Sequence, residues 1–246
     1  MDRPALRLGS AGWPGVGASW SYWRPDSADV VELCTVHGRG VALPTHFHDE
    51  DQLTIVLAGR RRFVLGGGLA EVVAGQGLII SAGVPHRSLP DSSDVVSFNA
   101  YLSEGRYAAS AVVREIQALW RRAGCIPWAE VVAIIGEHRR SDGGTPESPF
   151  TSAPIAVRPE PVESVRQLAK AAGMSREGYS RRFLRRHHMP PYAYLLVCRL
   201  NEARGLLRAG VPIAEAAAGC GFADQSHLGR WFRRIFGVTP GRYRRD

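Results

Sequence analysis

The last third of the chain repeats itself. Arg181-Arg-Phe-Leu-Arg-Arg186 returns as Arg230-Trp-Phe-Arg-Arg234, so that Arg181 and Phe183 fall on Arg230 and Phe232 at an offset of 49. The same offset carries Pro191 onto Pro240 and Tyr194 onto Tyr243. Upstream the offset is 48: Val165 matches Ile213, Leu168 matches Ala216, Gly173 matches Gly221 and Met174 matches Phe222. Each copy reads as a short apolar helix, a turn built on glycine, and a second helix loaded with polar and basic residues, which is the sequence form of a helix-turn-helix. Val165, Leu168, Ala169 and Ala172 place small and apolar side chains on one helical face, so a second helix can cross closely. Gly173 and Gly221 permit the left-handed backbone of a tight turn. Ser175 and Asp224 read as N-caps of the second helices, with Gly178 where a capping box would need Glu or Gln. Phe183, Trp231, Phe232 and Phe236 are the expected anchors. One long helix, Tyr192 to Leu207, joins the copies, with Leu195, Leu196, Cys198, Leu200 and Leu207 available for packing on both sides.

Charge follows the same division. From Val157 to Asp246 there are 17 basic and 7 acidic residues, against 14 basic and 16 acidic before them. The whole positive excess therefore sits on the repeated region, which fits a polyanionic partner there. No stretch approaches the length of a membrane span and the N-terminus has no apolar signal core, so a cytoplasmic protein is expected, nucleoid-associated if its polyanionic partner is DNA. Cys34, Cys125, Cys198 and Cys220 are far apart and form no CxxC pair, so isolated reduced thiols are expected rather than zinc ligands or disulfides.

Ahead of the repeat the pattern changes. From Val30 to about Leu102 short β-branched runs such as Leu53-Thr-Ile-Val-Leu57 and Gly77-Leu-Ile-Ile-Ser81 alternate with Gly-rich turns, which predicts a sandwich or barrel. Helices are expected over Glu104–Ala123 and Trp128–Arg140, the first packing through Tyr107, Ala111, Val112, Arg114, Ile116, Ala118 and Leu119. Arg60-Arg61-Arg62 reads as an exposed hairpin face. Trp13, Trp20 and Trp23 belong to a Gly/Pro-rich opening segment, placed either over the barrel mouth or on its outside. The fold class is thus multidomain α+β: residues 1–140 a β-barrel with trailing helices, 141–156 a linker rich in Gly, Pro, Ser and Thr, and 157–246 an all-α domain with two helix-turn-helix units.

The region Val162 to Arg245 resembles the DNA-binding domain of the AraC/XylS family of bacterial transcription regulators, through Gly221, Phe222, Phe232, Gly237, Thr239, Pro240 and Tyr243. The resemblance implies a sequence-specific regulator in which each unit lays one helix in the major groove of double-stranded DNA, about 34 Å apart along the duplex. It implies Glu177, Ser180 and Arg181 as readers in the first unit, and Gln225, Ser226 and Arg230 in the second. Arg181 and Arg230 suit guanine, Gln225 adenine, and Glu177 the cytosine amino group. Arg182, Arg185, Arg186, Arg233 and Arg234 suit phosphates. His227 and Gly229 depart from the family pattern, and Gly229 removes a potential reader.

A second resemblance covers the barrel. Gly40-x5-His46-Phe-His48-x3-Gln52-x6-Gly59 and Gly75-x5-Ser81-Ala-Gly83-Val-Pro-His86 have the spacing of the two cupin motifs, with Gln52 where metal-binding cupins carry Glu. The resemblance implies an effector domain with His46, His48, Gln52 and His86 lining a small-molecule pocket. Imidazoles at i and i+2 of a strand point the same way, so His46, His48 and His86 are also the candidate ligands for a divalent metal, although the missing carboxylate argues for no cofactor. Asp49, Glu50 and Asp51, which follow the histidines, read as a solvated turn, with Glu50 the candidate substitute acid. The architecture further implies a homodimer through the two trailing helices, and contact with RNA polymerase if the protein activates. The alternative is a metal-dependent cupin enzyme fused to a DNA-binding domain; the non-enzyme reading is the one preferred.

Overall fold

The computed structural model describes residues 6–7, 17–103, 106–140 and 164–245. Its N-terminal half is a pair of antiparallel sheets. One orders β2 (Ser19–Trp23), β3 (Val30–Gly38), β10 (Val95–Leu102), β5 (Asp51–Ala58) and β8 (Gly77–Ile80). The other orders β4 (Leu43–His46), β9 (His86–Leu89), β6 (Arg60–Leu65) and β7 (Gly68–Val73). Two short ribbons complete the half: β1 (Leu6–Arg7) with β12 (Cys125–Ile126), and β11 (Arg106–Tyr107) with β13 (Arg139–Arg140). No described strand pair bridges the two sheets, so the expected barrel is a jelly-roll-like sandwich around a lumen.

Period-two alternation explains why the lumen is polar while the strands around it are apolar. β10 is buried along its whole length, Val-Val-Ser-Phe-Asn-Ala-Tyr-Leu. Val96, Phe98, Ala100 and Leu102 pack outward with Leu53, Ile55 and Leu57 of β5 against α1 (Ala109–Ala123) and α2 (Trp128–Glu137). The alternate residues Asn99 and Tyr101 turn inward.

α1 starts at Ala109, with Glu104 outside the described residues. Its buried face is Val112, Val113, Ile116, Gln117 and Trp120, so Arg114 and Ala118, expected on that face, are exposed instead. α2 ends at Glu137 rather than Arg140, because Arg139–Arg140 leave the helix to pair with β11 and Arg139 joins Asp29 at 2.8 Å. The linker expected at 141–156 and Trp13 lie outside the described residues.

The C-terminal half is helical: α3 (Val165–Ala171), α4 (Arg176–His187), α5 (Pro191–Arg208), α6 (Ile213–Gly219), α7 (Gln225–Phe236) and α8 (Pro240–Arg245). α3–α4 and α6–α7 are the two repeated units, and α5 is the joining helix. Gly173 and Gly221 take φ of 63° and 71°, as their turns require. Ser164 closes a capping box with Gln167 ahead of α3. The two halves share their packing. Leu200 and Ala203 of α5, Phe232, Ile235 and Phe236 of α7 and Tyr243 of α8 form one apolar cluster with Tyr22, Cys34, Val36 and Phe63 of the sandwich. Phe183 of α4 and Tyr194 and Val197 of α5 close around Phe47.

Candidate functional site

Two surfaces carry chemistry. The first is the pair of helices α4 and α7. Ser175 caps α4 by accepting from Gly178 N, and Asp224 caps α7 by accepting from His227 N. Each cap satisfies one of the donors that a helix start leaves unpaired. On α4, Glu177, Arg181, Arg182 and Arg185 are exposed and Ser180 is half-buried, while Phe183 turns into the unit's core. On α7, Gln225, Ser226, Arg230 and Arg233 are exposed, while Leu228, Phe232, Ile235 and Phe236 are buried. Arg181 and Arg230 therefore stand free at equivalent places of the repeat. Glu177 makes a long ion pair with Arg176 at 3.9 Å on the open surface. Arg182 reaches Met174 Sδ at 3.9 Å.

The second surface is the lumen. His46, His48 and His86 come together there, all buried, with their nearest ligating atoms within 4.8 Å of one another. The sequence His46-Phe47-His48 alternates cleanly: both imidazoles turn inward, and Phe47 turns outward to stack on Tyr194 at 5.0 Å. His46 Nδ1 donates to Pro44 O at 2.7 Å and His86 Nδ1 donates to Val84 O at 2.9 Å, since a carbonyl only accepts. Gln52 donates to Thr54, which donates to Asn99 Oδ1. Burial first, then the crowding of the imidazoles on one another and the Arg204 guanidinium, holds His46 and His48 well below the ordinary imidazole pKa. Burial pulls His86 down to about 4. All three are neutral at neutral pH. The lumen is nearly filled: its free space is about 10 Å³, room for one water molecule at most.

What closes it comes from the other half of the chain. Ile235 of α7 lines the lumen beside Trp20, Leu43 and the histidines. Arg204 of α5 is fully buried and pairs with Glu32 of β3, also fully buried. The same guanidinium donates to His48 Nδ1 at 3.2 Å and to Tyr243 Oη at 3.3 Å, and lies 4.2 Å from the Tyr101 ring centroid. Burial opposes the Arg204 charge, but Glu32 and the surrounding tyrosines outweigh it and raise its pKa well above the usual value. Around this pair, Tyr22 Oη donates to Phe236 O at 2.8 Å and Asn201 Nδ2 donates to Phe47 O at 3.1 Å. Glu50, which the sequence offered as a stand-in acid for the histidines, pairs instead with Arg208 at 2.6 Å. Trp20 lines the lumen, whereas Trp23 packs outside against Trp128 with ring centroids 4.0 Å apart.

Glu32, Arg204, Asn201 and Arg61 are the residues that sequence reasoning missed. Arg61 is a correction: the run Arg60-Arg61-Arg62 is not one exposed face, because Arg61 is only 4% exposed. Strand period already held the signal, since Arg61 shares its parity with the inward Phe63 and Leu65. Likewise Arg204 lies four residues after Leu200 and three before Leu207, on the buried face of α5. The four cysteines are free thiols, and burial pushes Cys34 and Cys220 up to about 12, which leaves them unreactive.

A divalent cation fits this donor set poorly. His46 and His86 keep an Nε2 lone pair. His48 does not: a guanidinium only donates, so Nδ1 accepts from Arg204 and the ring proton sits on Nε2, where a metal would have to bind. Gln52 supplies no negative charge, and the Arg61 guanidinium shares the cavity.

Comparison with known proteins follows the same division of the chain. Residues 32–98 match the cupin domain family model, and residues 168–246 match a helix-turn-helix domain family model. The chain is 32% identical over 93 residues to the HTH-type transcriptional regulator MtrA of Neisseria gonorrhoeae, covering 37% of this chain and 31% of that protein. It is 26% identical over 211 residues to a putative AraC-like transcription regulator of Streptomyces antibioticus, covering 80% of this chain and 68% of that one. A solved transcriptional regulator of AraC type from Chromobacterium violaceum aligns at 32% identity with a TM-score of 0.32, covering 34% of this chain and 75% of that one. The chain spans about a third or less of the length of the first curated relatives it matches. Among the described residues no helix is long and apolar enough to cross a membrane.

Proposed function

We propose that this chain, in which a cupin domain precedes an AraC-type helix-turn-helix domain, is a sequence-specific DNA-binding transcription regulator controlled by a small molecule in the lumen. The observation that carries the reading is the repeated exposure of Arg181 and Arg230 on two capped helices tied to one joining helix. Glu177, Ser180, Arg181, Gln225, Ser226 and Arg230 are the proposed base readers, and Arg182, Arg185 and Arg233 the proposed phosphate contacts. Because one chain holds both units, a monomer reads two adjacent major grooves, giving an asymmetric bipartite site. Control follows from the closure of the lumen by Ile235: a molecule larger than one water displaces the buried face of α7, whose other face carries Gln225 and Arg230. Differential affinity for the docked and displaced arrangements is what couples effector to DNA. A homodimer through α1 and α2, a cytoplasmic location and contact with RNA polymerase belong to the same reading. So does the absence of catalysis, given the poor fit of the histidines to a metal.

Selection of bound fragments from random DNA by the full chain tests the reading. The expected result is a bipartite motif with half-sites about one helical turn apart. Arg181→Ala and Arg230→Ala are expected to relax one base position each at a cost of about 1–3 kcal/mol, while Arg185→Ala weakens all sequences alike. Recovery of fragments without any shared motif would refute it.

A further inference from the structure

The buried cation that lines the closed lumen, Arg61, has no carboxylate partner among the described residues, whereas Arg204 and Arg208 of α5 do. Arg204 has Glu32, and Arg208 has Glu50. Arg60 and Arg62, the sequence neighbours of Arg61, both reach Asp91 on the outside. Arg61 itself forms no ion pair with a carboxylate among the described residues. Its Nη1 donates to Asn99 Oδ1 at 3.3 Å, an oxygen already taken by Thr54, and its carbon lies 4.7 Å from the Phe63 ring centroid. Its Nε is buried without a partner. Burial lowers its pKa only to about 10, so it stays charged at neutral pH.

An uncompensated buried guanidinium is costly, and proteins pair such groups or leave them for a ligand. The other unsatisfied atoms of the same cavity define that ligand further. His48 Nε2 carries its proton because Nδ1 accepts from Arg204, and this N–H has no partner. His86 Nε2 is a lone pair without a partner, because its Nδ1 donates to Val84. The cavity therefore offers three free donors, on Arg61, His48 and Trp20, and the Nε2 lone pairs of His86 and His46 as acceptors, with no carboxylate among its described lining residues.

The geometry points to a small carboxylate as the molecule the lumen is built to hold, with Arg61 as its charge partner, His48 Nε2–H as its second donor, and His86 Nε2 accepting from a hydroxyl on the same molecule. A guanidinium edge matches the two oxygens of a carboxylate, and a charge-assisted bond in a dry cavity is strong. Because the free space now holds one water at most, the acid enters only as Ile235 and the α7 face withdraw. The inference rests on the lumen being the effector pocket, and it is read without DNA, so either statement fails independently of the other.

The test is thermal unfolding of the full chain at constant ionic strength, titrated with lactate, propionate and their neutral amides. Lactate and propionate are expected to raise Tm saturably, by several degrees at concentrations roughly 100-fold above Kd. Lactate is expected to act at lower concentration than propionate, and the amides not at all. Arg61→Met is expected to lose the response while melting no lower than the native chain without ligand, because the uncompensated charge is gone. The comparison of acid with amide in the native chain needs no variant, and quenching of Trp20 beside the cavity reports it a second way. Amides as effective as acids, an undiminished response in Arg61→Met, no response to either acid, or stoichiometric zinc or nickel binding in their place would each overturn the assignment. Equal action of lactate and propionate would remove the hydroxyl contact to His86.

Discussion

At an offset of 49, Ile235, Phe236 and Gly237 of the second helix-turn-helix unit stand where the first has Arg186, His187 and His188. The two units agree in their caps, turns and core aromatics and part company at this triplet. In the second unit the triplet is the surface that meets the sandwich: Ile235 lines the lumen, Phe236 is buried with its carbonyl accepting from Tyr22, and Trp20 lies against Gly237. In the first unit the counterparts are polar, and Arg186 and His188 are exposed. Tyr194 and Tyr243 are counterparts too, and each packs on its unit's core aromatic, Phe183 at 5.4 Å and Phe232 at 5.2 Å; beyond that Tyr194 stacks on Phe47, whereas Tyr243 meets Tyr22 and the Arg204 guanidinium. On the proposed reading a duplicated unit has thus been divided: one copy would mainly read DNA, and the other would read on one face while its opposite face closes the lumen.

The sharpest way to break this division is at the buried ion pair. Glu32→Leu removes the carboxylate and strands Arg204 in the core, which is expected to cost about 3–5 kcal/mol in equilibrium denaturation. Adding Arg204→Leu removes the stranded charge and is expected to restore most of that loss. If the double variant is as unstable as the single one, the pair is not what couples the second unit to the sandwich.

Next in size is the pair Gly237 and His188, both in left-handed backbone at φ 78° and 54°. A Cβ on Gly237 would lie 2.4 Å from the Trp20 indole, so Gly237→Ala meets backbone strain and a rigid ring together. It is expected to destabilise by about 2–4 kcal/mol, combining the left-handed penalty with overpacking. His188 already carries a side chain in the same backbone region, and His188→Gly is expected to stay within about 1 kcal/mol of the native chain. Urea midpoints of the two variants decide it, and comparable losses would mean that the units are docked alike.

Acid is expected to loosen the same joint more gently. The unfolded chain protonates its histidines near pH 6.5, whereas His46, His48 and His86 stay neutral in the folded chain to much lower pH, His86 to about 4. Between those values the unfolded state binds more protons, so stability falls as pH drops from about 6.5 toward 4 and is unaffected by these groups above that window. His86→Gln is expected to shallow the slope of denaturation midpoint against pH. A midpoint that does not move between pH 7 and about 5 would show that the cluster is already hydrated or charged.

Much of this was legible in the chain. The offsets of 48 and 49 locate both units, Ser175 and Asp224 announce their caps, and the His-Phe-His spacing places two imidazoles inward with one aromatic out. What the sequence does not display is the contact between the halves, because Glu32 and Arg204 are 172 residues apart and each looks like an ordinary surface charge in isolation. Arg61 shows the limit from the other side. Its composition as the middle of an arginine run suggested solvent, its strand parity implied the interior, and the parity prevailed because Phe63 and Leu65 fix which face of β6 is buried. Helix ends shifted where a neighbouring strand claimed the backbone, as at Arg139–Arg140.

The smallest expected effect lies on the proposed reading face itself. Gly229 is the counterpart of Ser180, and it leaves α7 without a side chain where the first unit presents a hydroxyl. A Cβ at this position would meet only Pro240 Cδ, at 4.0 Å, which is ordinary contact. Gly229→Ala is therefore expected to stabilise the chain by about 0.5–1 kcal/mol, the helix-propensity difference, with no packing penalty. Gly229→Ser gains less stability, since serine is the poorer helix former, but returns a hydroxyl to the exposed side of α7. If Gly229 marks a gap in reading, Gly229→Ser alters selectivity at one base of the second half-site and leaves the first half-site untouched. If both variants bind DNA as the native chain does, the gap has no role in recognition, and the second unit owes its discrimination to Gln225, Ser226 and Arg230 alone.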